Sequence, residues 1–334
     1  MGDLLRRIDA FQKGRRWLAV PVAVIKKFGD DGANREAALI AWWGFFSLFP
    51  LLLLFTSILG FVLAGDPDAQ RDIRDSALAN FPVVGPTLST GDLTGSGTAL
   101  AIGIVGALLS GIAVTLAAQD AFNKVYAVPK RERPNALKAR LRGLVLLVVL
   151  GLLQIAATGV TAVVASHGGA ATNVLAIAAG LLLSLVLFFA VFRLLTSDAV
   201  PTSHLRPGIV TATILWTILL RFGGLYTEHV VQEAGATYGT FAAVIGLLTW
   251  LYVGARVLVY SAELNSVITA RLWPRSLFGD PQTEADFRAK AAVARIEEQT
   301  SDERIVARFG TEGDEHELAP EVPHGPADAP SPPR

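Results

Sequence analysis

Apolar residues are gathered along this chain into six long runs, at residues 39–64, 98–118, 143–165, 173–195, 208–226 and 239–265. Each run is about as long as the ~20 residues a helix needs to cross a bilayer, and a helix satisfies its own backbone hydrogen bonds in lipid. The runs are too long for buried strands, and they lack the alternation over roughly ten residues that marks an outer-membrane barrel strand. The pattern predicts an all-α polytopic membrane protein with six transmembrane helices, residues 39–269. A basic, amphipathic segment, 1–38, precedes them, and a charged, then Pro-rich tail, 270–334, follows.

The flanks carry patterns of their own. Leu4, Ile8 and Phe11 recur at helical spacing among basic residues, as expected of a helix lying on a membrane surface. Pro21 is expected to bend or break it. This segment lacks the uninterrupted apolar core and small-residue site of a signal peptide, so no cleavage is expected. Asp66, Asp68, Asp72, Asp75 and Asp92, with an apolar turn at Phe81 to Pro86, suggest a small outer cap between the first two spans. The tail reads as helical in part up to Phe309, and its Pro-rich, acidic end, Pro320 to Arg334, has too little apolar area to order itself.

Charge fixes an expected orientation. Only 17% of the residues are charged and 52% are hydrophobic, against about 25% charged in an ordinary soluble domain. Outside the spans, 24 Lys/Arg fall on the side of the two chain ends and two, Arg71 and Arg74, on the other. Cytoplasmic loops carry the excess of Lys and Arg, so both ends are expected in the cytoplasm. The segment from Lys124 to Arg142 is the strongest anchor, serving either topology alone or anionic-lipid binding. Net charge is zero and there is no cysteine, so no nucleic-acid partner, disulfide or thiolate metal site is expected. The five histidines lack metal spacing, no Walker loop or nucleophile elbow occurs, and neither a cofactor nor an enzyme activity is expected.

Within the spans, polar residues mark the candidate site. Thr249, Tyr252, Arg256, Tyr260 and Glu263 fall within an arc of about 80° on one helix face. Gln154, Arg221 and Arg256 lie roughly 16, 20 and 13 Å from the inner ends of their spans, at a rise of about 1.5 Å per residue. Ionisable groups at such depth tend to line substrate or ion paths, which makes Arg256, Arg221, Gln154, Tyr252, Tyr260 and Glu263 a candidate polar cavity for an anionic ligand. The competing reading is an Arg256–Glu263 structural pair, with Arg221 reaching outward. Gly103, Ala107 and Gly111, and again Ala176, Gly180 and Ser184, form small-residue seams for helix packing or an oligomer. Pro50 is expected to kink the first span, with Ser47 or a neighbouring helix answering the freed carbonyl of Phe46.

Two segments carry a family resemblance. Glu36-Ala-Ala-Leu-Ile-Ala-Trp-Trp-Gly-Phe-Phe-Ser-Leu-Phe-Pro50 resembles the opening motif of the YihY/BrkB family of bacterial inner-membrane proteins. Tyr238-Gly239-Thr240, through Gly246 to Tyr252, to Ala262-Glu263-Leu264-Asn265 resembles that family's last span, with Ser261 where the motif has glycine. The resemblance covers roughly residues 20–270. It implies a six-span inner-membrane protein connected with envelope integrity and, in some members, with serum resistance or lipid export. Members were once labelled ribonuclease, a label the residues here do not support. Transport of an anionic lipid or amphiphile is the leading expectation, with membrane lipids as partners. A non-transporting scaffold is the second, and small-ion or solute transport, needing Glu263 or Asp120 as a coupling carboxylate, the third.

Overall fold

The computed structural model describes residues 2–62, 97–167, 170–226, 240–278, 282–309 and 316–317. The expected outer cap and the Pro320–Arg334 end lie outside them. Nine α-helices are described: α1 (Gly2–Lys13), α2 (Arg16–Asp30), α3 (Ala33–Val62), α4 (Gly97–Val125), α5 (Ala136–His167), α6 (Ala170–Leu195), α7 (Arg206–Tyr226), α8 (Thr240–Thr269) and α9 (Glu284–Arg295). Two two-residue strands, β1 (Arg308–Phe309) and β2 (His316–Glu317), pair antiparallel.

Helices α3 to α8 are the six long and apolar enough to cross a membrane. Several outrun the apolar run that predicts them. α3 begins at Ala33, α4 continues to Val125 and α5 begins at Ala136. These extensions contain good helix formers and no proline, and they are where the protein packs most tightly. Ala37, Ala121, Phe122 and Val125 are buried, whereas Ile155, Val174, Leu182 and Phe241 along the spans are exposed. Apolar side chains that face outward in this way suit contact with lipid.

The chain divides into two compact units. The first comprises residues 1–37, 118–215 and 256–334. Its core is built on Ala23, Val24, Val267, Leu272 and Ala289, from α2, the end of α8 and α9. The tail segment is a folded part of this unit. Arg275, almost fully buried, donates through Nε to Asp286 at 2.9 Å and through Nη2 to Asp30 at 2.7 Å. Lys26 Nζ reaches Asp286 at 2.9 Å, and Gln12 Nε2 donates to the Arg275 carbonyl at 2.7 Å. Thr283 and Asp286 close a capping box at the start of α9, satisfying donors that a bare helix end leaves open.

The second unit comprises residues 38–117 and 216–255. Here α3 and α4 approach backbone to backbone. A Cβ on Gly103 would lie 2.9 Å from the Leu54 main chain, and one on Gly106 2.8 Å from Pro50 Cβ. The close contact falls at Gly103 and Gly106, and Gly111, one of the expected four-residue stripe with Gly103 and Ala107, is buried as well. α3 runs on as a helix through Pro50. Ser47 Oγ donates to Gly44 O at 2.7 Å, so it does not answer the Phe46 carbonyl as expected. Over Gly180, in α6, nothing described lies within 4 Å of an added Cβ.

Candidate functional site

The first unit holds a buried polar centre where α2, α4 and α8 meet. Ala19, Ala23 and Lys27 follow at four-residue spacing on the buried face of α2, which carries the Lys27 ammonium inward. Its Nζ donates to Glu263 Oε2 at 2.9 Å, to Asp31 Oδ2 at 2.5 Å and to the Val125 carbonyl at 2.8 Å. Burial acts to lower the Lys27 pKa, but the charges of Glu263 and Asp31 outweigh it and hold the ammonium above its usual range.

Two residues further along α8, Asn265 ties three segments together. Its Nδ2 donates to Tyr126 OH at 2.8 Å and to Leu205 O at 3.1 Å, and its Oδ1 accepts from the Gly208 N–H at 2.5 Å. Gly208 permits this approach, since a Cβ there would lie 2.3 Å from Ser261 O. Glu263 and Asn265 thus use their polar groups to fasten α8 to α2, α4 and the start of α7.

Arg256 occupies a different setting on the same helix. Its guanidinium lies 5.7 Å from the Phe28 ring centre and 5.5 Å from that of Tyr260, and Nη2 donates to Tyr260 OH at 3.3 Å. Phe28 and Tyr260 stack at 3.8 Å with an interplanar angle of 7°. The stack gives the cation an aromatic seat. Of the residues singled out in the sequence, Arg256 and Tyr260 are therefore together. Glu263 is committed to Lys27, two positions that the sequence places 236 residues apart. Gln154 is on an exposed face of α5. Arg221, exposed, and Tyr252, half-buried, belong to the second unit with Pro50.

Around this centre the basic segment between α4 and α5 is bound into the unit. Lys124 pairs with Glu36 at 2.5 Å, Lys130 with Glu297 at 2.5 Å and Arg131 with Glu298 at 3.1 Å. Asp120 lies 3.7 Å from Arg133 with its side chain 66% exposed, a surface position unsuited to carrying an ion across a bilayer. Asp198 gathers Lys138, Arg142 and Arg193. The Lys138 hydrogen bond, aided by Arg193 and Arg142, pulls its carboxyl down to about 2. Three cations on one carboxylate leave a basic surface.

Sequence reasoning missed Lys27 and Asp31, which it assigned to a surface segment. The signal lay in the α2 spacing just described, because a lysine that continues an alanine stripe is on the packed face. Among the described residues no group of three or more His, Asp or Glu is placed to hold a metal ion.

Comparison with known proteins places these residues in context. A family model described as virulence factor BrkB matches residues 24–283. The chain is 24% identical over 255 residues to YfkH of Bacillus subtilis (strain 168), a protein named ribonuclease-like, covering 72% of this chain and 91% of that protein. It is 26% identical over 287 residues to a UPF0761 membrane protein of Alkalilimnicola ehrlichii, covering 81% of this chain and 62% of that one. A shorter match, 33% identical over 96 residues, joins 27% of the chain to 28% of the inner membrane protein YhjD of Escherichia coli (strain K12). No solved structure matches.

Proposed function

This chain belongs to the BrkB family of membrane proteins, and from that premise we propose that it is a bacterial inner-membrane protein that moves an anionic lipid or amphiphile across the bilayer and thereby supports the cell envelope. Both chain ends lie in the cytoplasm in this reading, because 24 of 26 Lys/Arg outside the spans fall on their side. The reading is non-enzymatic, and the ribonuclease-like wording stays with YfkH.

The observation that carries it is the seat of Arg256. A guanidinium is a planar fork of donors that matches phosphate or carboxylate in paired hydrogen bonds. Here it sits within the span formed by α8, oriented by the Phe28–Tyr260 stack. The basic surface around Asp198 adds attraction for anionic headgroups at the membrane boundary.

The test is retention of anionic lipid by purified protein, read by native mass spectrometry. Arg256→Gln is expected to weaken retention roughly tenfold, the loss of a charge-assisted pair. Arg256→Lys, which keeps charge but loses the fork, falls between that and the unchanged protein. Equal retention by all three would remove Arg256 from the lipid path.

A second reading, a non-transporting scaffold, draws on the folded tail. Residues 270–278 and 282–309 dock on α1 and α2 through Arg275, Asp286 and Gln12, which builds a platform beside α1 and α2. Normal lipid movement in a chain lacking that platform would count against it.

A further inference from the structure

The buried centre around Lys27 carries an imbalance of charge. The side chains of Lys27, Asp31 and Glu263 are 4%, 3% and 0% exposed. One ammonium faces two carboxyl groups and spends all three of its N–H bonds on Asp31, Glu263 and the Val125 carbonyl. The remaining oxygens, Asp31 Oδ1 and Glu263 Oε1, are buried and accept no hydrogen bond from the described residues. With both carboxyls ionised the centre would hold one net negative charge away from water, which is costly, and two acceptors without donors, which is costly again.

Among the described residues, Lys27 is the one cation in ion-pair contact with Asp31 or Glu263. From α4, Tyr126 is a phenol whose oxygen accepts from Asn265. At the start of α3, Glu36 is balanced by Lys124, and Arg35 is exposed. From α9, Arg288 has Glu284 of its own helix 3.9 Å away. Arg256 and Tyr260 are engaged on Phe28. A second cation at the centre would face the Lys27 ammonium at close range, and a metal ion of ordinary coordination needs about six oxygens, where two stand open. A proton meets both needs: it cancels the charge and turns one open acceptor into a donor.

A cleft of about 40 Å³, lined by Lys27, Asp31, Tyr126, Ser266 and Arg288, opens onto the centre, enough for a water molecule with polar partners.

We propose that Asp31 and Glu263 together bind one exchangeable proton, delivered through this cleft, and that its binding seats α2 against the end of α8. Uptake forms one O–H bond on a carboxyl oxygen, breaks one in hydronium and releases water, with no change of oxidation state. The site stands independently of the lipid reading, since it rests on Lys27, Asp31 and Glu263 and makes no use of Arg256.

Infrared spectroscopy of the full chain in detergent tests it. The unchanged protein is expected to show a carboxylic-acid C=O band near neutral pH that shifts in heavy water. Glu263→Gln and Asp31→Asn are each expected to lose that band, because either change leaves one carboxylate and one ammonium in balance. Persistence of the band in both variants would overturn the proposal. If neither variant folds, the unchanged protein decides alone: absence of an exchangeable carboxylic-acid band at neutral pH overturns it, and presence of one supports it.

Discussion

At the scale of single residues, the polar groups of α8 divide by what they touch. Asn265 is fully buried and fills the needs of Tyr126, Leu205 and Gly208. Asn265→Ala strands a backbone N–H, a carbonyl and a phenol, and is expected to cost about 2–4 kcal/mol, read as a lower thermal midpoint of the purified protein. An unchanged midpoint would mean water replaces the amide. Glycines offer a sharper contrast. Gly208→Ala drives a methyl to 2.3 Å from Ser261 O and is expected to destabilise strongly, whereas Gly180→Ala meets nothing described within 4 Å and is expected to fold normally. Glu263 was legible as an ionisable position within a span, and Asn265 only as part of the Ala262-Glu263-Leu264-Asn265 motif. Of their partners, Lys27 was readable only from its place in the α2 alanine stripe, and Tyr126 and Gly208 lie in segments whose faces only tertiary packing identifies.

Elements show the same division between pattern and packing. The six spans were legible because lipid demands long apolar helices. Their ends were not, since α3, α4 and α5 continue into polar sequence that helix packing buries. The tail was the larger surprise. Its charged residues look solvated in one dimension, yet Asp286 accepts from Arg275, Lys26, Ser276 and Thr283. Burial acts to raise the Asp286 carboxyl, but the Thr283 and Ser276 amides, with Lys26, hold it well below its usual value. A carboxyl depressed in the folded state stabilises it fully above its unfolded pKa of about 4 and loses that contribution as pH falls toward the folded value. Acidification below about pH 4 is therefore expected to release α9 to protease before the spans unfold, and Asp286→Asn to release it at neutral pH. Simultaneous loss of both would show that Asp286 does not hold the tail. On the other unit, Gly106→Leu is expected to push α3 and α4 apart and lower the yield of folded protein, while Pro50→Ala, which only adds a backbone donor, leaves insertion unchanged. Quantitation of membrane-inserted protein checks both.

For the whole molecule, the expected orientation rests on the charge asymmetry. Reporters fused after Arg7, Arg133 and Arg308 are expected to read as cytoplasmic, and those at Asp75 and His167 as external; an external reading at Arg133 would break the six-span topology. In the proposed function the protein is a membrane-embedded carrier whose α8 contributes an arginine for the anionic head of its cargo, and movement of that cargo is the step to measure. The most direct measurement reconstitutes the full chain in liposomes carrying a fluorescent anionic phospholipid in both leaflets and follows quenching by a reductant that cannot cross the membrane. Quenching is expected to proceed beyond the outer half in protein-containing liposomes, and Arg256→Gln to slow it roughly tenfold, in line with the lost anion contact. Quenching that stops at the outer leaflet with folded, inserted protein would contradict the proposed function.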